Sequence, residues 1–307
     1  MTVLLVELII VVVVLVVLRA IRGKITFFRG GYVIIKDHYK DDKSTVRVED
    51  MHFFRNKESE NRSLHVQGTA VTASRIPLDP KNQGLMIYGY CAPILSMLNG
   101  TGTQVRRTLT LGGGGGAVPR YILQNYDKAQ ADIVEINADS IRVSKEYFLK
   151  EFAGEGGRAN MIHADAKDAV RTLQAPYQFV FCDLYSGGGV PSDLVVNPEF
   201  VADLSRLCGG DGLLAINGSG LGYAGVRLVL YRLLDAFEKV WVMMSGEGFV
   251  IFARNKEMPA LDNLIQHGSG IIPIYPSLLT KENLHADFEK MKNPTASAED
   301  ARQDGRA

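Results

Sequence analysis

The segment "KVWVMMSGEGFVIFAR", residues 239–254, holds two runs of β-branched and aromatic residues separated by only "GEG". Each run reads as a strand. A parallel crossover needs a dozen residues or more, so three residues can join only antiparallel neighbours. The main sheet is therefore expected to end in an antiparallel hairpin.

Upstream of the hairpin the pattern alternates. "RTLTLG", "ADIVEIN", "ANMIHAD", "YQFVFCD" and "GLLAIN" read as strands. Between them, "AVPRYILQNY", "ADSIRVSKEYFLKEF", "AKDAVRTL", "NPEFVADLSRLC" and "GVRLVLYRLLDAF" read as helices, and "LMIYGYCAPILSML" opens the series as another. Such alternation implies an α/β fold with a mainly parallel sheet covered on both faces. A mainly parallel, Rossmann-type sheet closed by an antiparallel hairpin is methyltransferase-like, and residues 89–257 are assigned to it. An ordinary dinucleotide-binding domain would not end that way.

Ahead of this domain, "STVRVEDMHFF" and "RSLHVQGTAVTASRI" flank the polar turn "RNKESEN" and predict a small antiparallel β domain over residues 45–88. Residues 23–44 read as a linker and a first strand, "YVIIKDHY". Residues 258–307 form a C-terminal extension whose last part, from about Asn293, lacks apolar periodicity and is expected to be disordered.

The first residues differ from the rest. From Val3 to Leu18 the chain is apolar except for Glu7. Sixteen such residues exceed an ordinary strand, and with their flanks they approach the roughly 20 that span a bilayer. Arg19, Arg22, Lys24 and Arg29 follow. Residues 1–22 are thus expected to be a single transmembrane anchor with the globular part on the cytoplasmic side. Glu7 would be protonated, near the outer surface, or facing a partner helix.

The chain has 307 residues, 46% of them apolar and 22% charged, with formal net charge zero. That is the composition of a folded protein. It supplies no basic field for nucleic acid. Cys91, Cys182 and Cys208 have no metal-ligand spacing and read as buried free thiols. No metal is expected.

The candidate site begins at "TLTLGGGGGAVPRYILQ", residues 108–124. A strand enters the five glycines and a helix leaves them, with Pro119 in its first turn. Gly112, Gly113, Gly114, Gly115 and Gly116 therefore read as a strand-to-helix turn that lets backbone N–H groups approach a ligand. Glu135 ends the next strand about twenty residues on, where a carboxylate can accept both ribose hydroxyls. Asp165, in "IHADA", could accept from an adenine amino group with Ala166 beside the ring. Asp183 ends the fourth strand in "FCDLYSGGGVP", on the edge where such sheets bind ligands, and could position a nucleophile or accept its proton.

"LGGGGGAVPRYI", "VEINADSIRVSKEYF", "IHADA" and "YQFVFCDLYSGGGVPSDLVVNPEF" together resemble spermidine synthase, the polyamine aminopropyltransferase family, over about residues 45–255. The resemblance implies a small β domain before a methyltransferase-like one. It implies S-adenosylmethionine or its decarboxylated form as donor substrate and a small acceptor such as a polyamine; a homodimer is also consistent with it. By position, Glu135 would hold ribose, Asp165 and Ala166 adenine, and Asp183, Tyr88 and Ser186 would surround the acceptor.

Four motifs depart from the family pattern. Gly115 stands where those enzymes carry an aspartate that faces the aminopropyl amine. Ser186 stands in place of a second acid, Gln67 and Val71 replace polar family residues in "LHVQGTAV", and Tyr88–Tyr90 reads "YGY". A cationic amine entering a low-dielectric cleft needs carboxylates to offset its desolvation. These losses point away from ordinary spermidine synthesis and toward the carboxylate of intact S-adenosylmethionine. Aminopropyl and methyl transfer both stay open. Two other readings are a non-catalytic nucleotide sensor or scaffold at the membrane and, through Gly112-x-Gly114-x-x-Ala117, an NAD-dependent oxidoreductase.

Overall fold

The computed structural model describes residues 24–40, 45–66, 72–79, 91–186, 190–245, 248–256 and 272–274. The anchor expected over residues 1–22, Gln67, Val71, Tyr88 and the tail from Asn293 lie outside them. Among the described residues no helix is long and apolar enough to cross a membrane. The chain divides into two compact units, residues 1–85 and 86–307.

The first unit is a five-stranded antiparallel sheet in the order β1-β2-β3-β4-β5, with β1 Ile25–Phe28, β2 Gly31–Lys40, β3 Thr45–Phe53, β4 Asn61–Val66 and β5 Ser74–Pro77. Along β3 the pleat buries Val46, Val48 and Asp50 in alternation. Asp50 is buried as a charge because Arg62 meets it bidentately, at 2.7 and 2.9 Å. Strand β1 falls in the stretch expected to be a linker. Four residues, "ITFF", are too few to show a period.

The second unit is an eight-stranded sheet between helices. Its elements are α1 Cys91–Gly100, β6 Arg107–Leu111, α2 Ala117–Asn125, β7 Gln130–Glu135, α3 Ala138–Val143, β8 Ala159–His163, α4 Ala166–Thr172, β9 Phe179–Cys182, the two-residue strands β10 Tyr185–Ser186 and β11 Val190–Pro191, α5 Pro198–Cys208, β12 Leu213–Asn217, α6 Gly222–Leu233, β13 Lys239–Ser245, β14 Gly248–Arg254 and β15 Ile272–Ile274. A π-helical turn, Ser144–Phe148, continues α3. The strand order is β15-β13-β14-β12-β9-β6-β7-β8.

Strands β8, β7, β6, β9 and β12 run parallel. The expected hairpin is present: β13 pairs with β14 antiparallel from Lys239↔Arg254 to Ser245↔Gly248. This is the methyltransferase-like α/β fold that the hairpin predicts. Strand β15, from the C-terminal extension, was not expected; it pairs antiparallel with β13.

Both sheet faces are covered, as parallel strands require. Val180 and Cys182 of β9 point into a core with Ala169, Val170, Phe200, Leu204 and Val229 from α4, α5 and α6. Phe179 and Phe181 point the other way, into a core with Ile94, Met97, Ile122 and Leu123 from α1 and α2. Cys182 and Cys208 are buried free thiols, and burial pushes both pKa values up.

One polar group is locked at the amino ends of these strands. The Tyr177 hydroxyl donates to Asp132 at 2.7 Å, and the Arg107 guanidinium lies 4.4 Å over the Tyr177 ring. Tyr177 is fully buried, and burial followed by the Asp132 bond raises its pKa. Tyr177→Phe is expected to cost about 1–2 kcal/mol by leaving one lone pair of Asp132 unpaired. Urea titration would show it as a lower midpoint with an unchanged slope. Ligand binding at the opposite, carboxyl edge should not change.

Candidate functional site

The chain proceeds from β6 to β7 and β8 on one side and resumes with β9 and β12 on the other. The reversal point therefore lies between β6 and β9, where an open α/β sheet leaves a crevice at its carboxyl edge. The glycine run leaves β6 and Asp183 leaves β9 at this point, and Asp183 N donates to Leu111 O at 2.8 Å.

Most of the glycines answer to the fold itself. Gly112, Gly114 and Gly116 have φ of 83°, 46° and 74°, a region that disfavours side chains. A Cβ on Gly112 would stand 2.2 Å from the Asp183 carbonyl oxygen, and one on Gly113 would stand 2.5 Å from Ile133 Cγ2. Gly115 is different: it is buried, but its φ lies outside the left-handed region, so its backbone permits a side chain. The run is a turn packed tightly against the neighbouring strand loops, and packing accounts for much of its composition.

Glu135 organises this turn. Its Oε2 accepts from Gly114 N at 2.9 Å and its Oε1 from Asn137 N at 2.8 Å. The carboxylate thus ties the loop after β6 to the loop after β7. The Ser144 hydroxyl donates to Gly114 O at 2.5 Å from the other side.

Asp183 faces the same edge. Asn217, the last residue of β12, donates from Nδ2 to Asp183 Oδ1 at 2.8 Å and accepts from Ser219 N at 3.0 Å. Tyr185 donates to Ser219 O at 3.0 Å. Burial pushes the Asp183 carboxyl up to about 6; the Asn217 bond opposes this and the negative charge of Glu135 adds to it. Tyr185 is also raised, by burial first and then by the Asp183 charge.

The remaining predicted positions are less concentrated. Asp165 is exposed and caps α4, accepting from Lys167 N at 2.8 Å. Ala166, beside it, is buried in the core. The backbone of Ser186 lies in β10, while its side chain and all of Tyr88 are outside the described residues. Among the described residues no group of three or more His, Cys, Asp or Glu side chains is placed to hold a metal.

Asn217, Tyr185 and Ser144 were missed by sequence reasoning. For Asn217 a signal existed: "GLLAIN" ends an apolar strand on a polar residue at the ligand edge. The contacts of Ser144 and Tyr185 arise only from tertiary packing. The arrangement as a whole brings two carboxylates to the carboxyl edge beside the glycine turn, one anchoring that turn and one whose pKa burial raises to about 6.

Comparison with known proteins bears on the fold and the family. Residues 90–221 match the spermine/spermidine synthase domain. A polyamine aminopropyltransferase of Neisseria meningitidis serogroup A is 25% identical over 182 residues, covering 59% of this chain and 66% of that protein. One from Prochlorococcus marinus strain AS9601 is 30% identical over 111 residues, covering 35% of this chain and 38% of that protein. The chain thus spans just under two thirds, or less, of the length of these relatives. The crystal structure of a probable spermidine synthase from Corynebacterium glutamicum shares the fold, with a TM-score of 0.65 and 18% identity over 80% of this chain and 93% of that one. In sequence over residues 90–221, and in fold, the chain is similar to the spermine/spermidine synthase family.

Proposed function

We propose that the chain is a transferase that binds an S-adenosyl donor in the crevice between β6 and β9 and acts on a small amine acceptor. The observation that carries this reading is the placement of Glu135 and Asp183 on either side of the glycine turn. Each Glu135 oxygen accepts one backbone N–H and keeps a lone pair, which suits ribose hydroxyls. Asp165 and Ala166 would meet the adenine. When bound, such a donor supplies a carbon made electrophilic by its sulfonium.

Asp183 would orient the acceptor nitrogen and take the proton it sheds as its bond to the transferred carbon forms. A carboxyl titrating near 6 is suited to that exchange at neutral pH. Gly115 and Ser186 stand where the resembling enzymes hold acids, which favours S-adenosylmethionine over its decarboxylated form. The apolar residues 3–18 and the arginines after them support an anchor that holds the globular part at the cytoplasmic face of a membrane.

Calorimetry of the full chain in detergent with S-adenosylmethionine, decarboxylated S-adenosylmethionine, methylthioadenosine and NAD tests this. Tighter binding of S-adenosylmethionine is expected. Gly115→Asp should weaken it about tenfold or more, by like-charge repulsion of the donor carboxylate. Preference for the decarboxylated donor in the unaltered chain would refute the inference from Gly115. Binding of none of the four would refute the site. Incubation with polyamines and mass detection of added methyl or propylamine then identifies the transferred group.

A further inference from the structure

Outside the candidate site, the most unusual surface of the described residues lies at one end of the five-stranded sheet. Phe27 is 72% exposed, Phe54 59% and Phe28 39%. Phe27 and Phe54 lie together on either side of Tyr32, and exposed apolar rings grouped in this way mark a surface that meets something other than water.

The rings are held in place. Phe27, Tyr32 and His52 stand in register across β1, β2 and β3. Tyr32 stacks on His52 at 4.9 Å, and Phe27 and Phe54 flank Tyr32 at 5.8 and 6.0 Å. On the opposite face Phe28 meets Phe53 edge-on at 5.8 Å across Gly31. A Cβ on Gly31 would stand 2.1 Å from the His52 carbonyl oxygen and 2.7 Å from the Phe28 ring, so the glycine lets both the neighbouring strand and that ring come close.

Charge accompanies the rings. Lys24, Arg29 and Arg55 are exposed around β1 and the two adjoining turns. Of the two acids in the neighbouring turn, Glu60 is engaged by Lys57 at 2.7 Å and His52 at 3.1 Å, and Glu58 is exposed. The position in the chain adds a constraint: Lys24 lies six residues beyond Leu18, the end of the apolar run. Six extended residues span at most ~20 Å.

We propose that β1, with Phe27, Phe28 and Phe54, docks on the headgroup layer of an anionic bilayer. The proposal rests on the membrane anchor proposed above. Aromatic rings concentrate at that depth, and lysine and arginine meet anionic lipid there. Among the described residues β1 is the edge strand of its sheet, with no strand paired to its outer side. Backbone groups on that side tolerate hydrated headgroups and would not tolerate hydrocarbon, which fixes the depth.

The test uses the full chain reconstituted in vesicles of phosphatidylcholine with phosphatidylserine. Trp241 is the single tryptophan, so Phe27→Trp and Phe54→Trp are each made in a Trp241→Phe background. Tyr39→Trp, near the far end of β2, is the control. With lipids brominated just below the headgroup, the first two variants should lose about half their emission and the control little. Omitting phosphatidylserine should reduce that loss. Flotation with the vesicles but no quenching by bromine would overturn the docking alone. Shielding from aqueous acrylamide without bromine quenching would overturn it too, by showing that protein, such as a second copy, covers the rings. Failure to float would overturn both the anchor and the docking.

Discussion

Asp183→Asn should make the protein more stable at pH 8 while removing the transfer activity proposed above. The Asp183 carboxyl titrates at about 6 in the folded chain against an ordinary value of 3.8. The native state therefore holds this proton more tightly than the unfolded state does. Stability falls as pH rises from about 4 to about 6, and the full penalty stands above that range. Two pKa units correspond to roughly 3 kcal/mol, an upper figure because Asp183 keeps partial solvent access. Asparagine carries no charge and still accepts from Asn217. The variant should melt several degrees higher at pH 8, and the difference should vanish as pH falls to 4. Transfer should drop about 10²–10⁴-fold with loss of the proposed proton acceptor. Thermal melts across pH, set beside rates at pH 8, check both halves. A loss of stability at pH 8 would mean that Asp183 serves the fold.

Gly112→Ala is expected to have a comparable effect on transfer with the opposite effect on stability. Its φ of 83° disfavours any side chain, and the new methyl would stand 2.2 Å from the Asp183 carbonyl oxygen. Left-handed backbone alone costs about 1–2 kcal/mol. The remaining clash can be relieved only by moving the glycine turn and the Asp183 loop apart. A displacement of that kind, about 1 Å, can cost on the order of 100-fold in rate. Lower thermal stability, weaker donor binding by calorimetry and slower single-turnover transfer are all expected. Wild-type behaviour in all three would contradict the close contact of the two loops.

The architecture was legible because its signals are short-range. The short "GEG" between the two apolar runs excludes a parallel connection, and five strands alternating with helices imply the parallel sheet. β1 was not legible, since "ITFF" is too short for a period and its pairing with β2 is what makes it a strand. β15 is held to β13 by pairing across about thirty residues, which no local pattern records.

The site divides in the same way. Glu135 and Asp183 could be found because strand ends place them at a known edge of a known kind of sheet. The glycine run has the composition of a ligand cradle, yet Gly112 and Gly113 are crowded by the chain itself. Composition cannot separate those demands, because a close ligand and a close loop both exclude a side chain. Asp165 shows the same ambiguity: a carboxylate that could meet an adenine also caps α4. Asn217 acquires its meaning only when β12 is laid beside β9, which brings it to Asp183.

β15 has a consequence for handling the protein. Pro273 sits opposite Met243, and proline within a sheet belongs on an outer strand because it has no N–H to donate. The three-residue strand therefore occupies the rim of β13 while offering a poor template for further growth. A chain cut after Arg254 would keep every parallel strand and the whole crevice. It would also bare the long rim of β13, and self-association into aggregates, with the parallel strands intact, is the behaviour expected of that fragment.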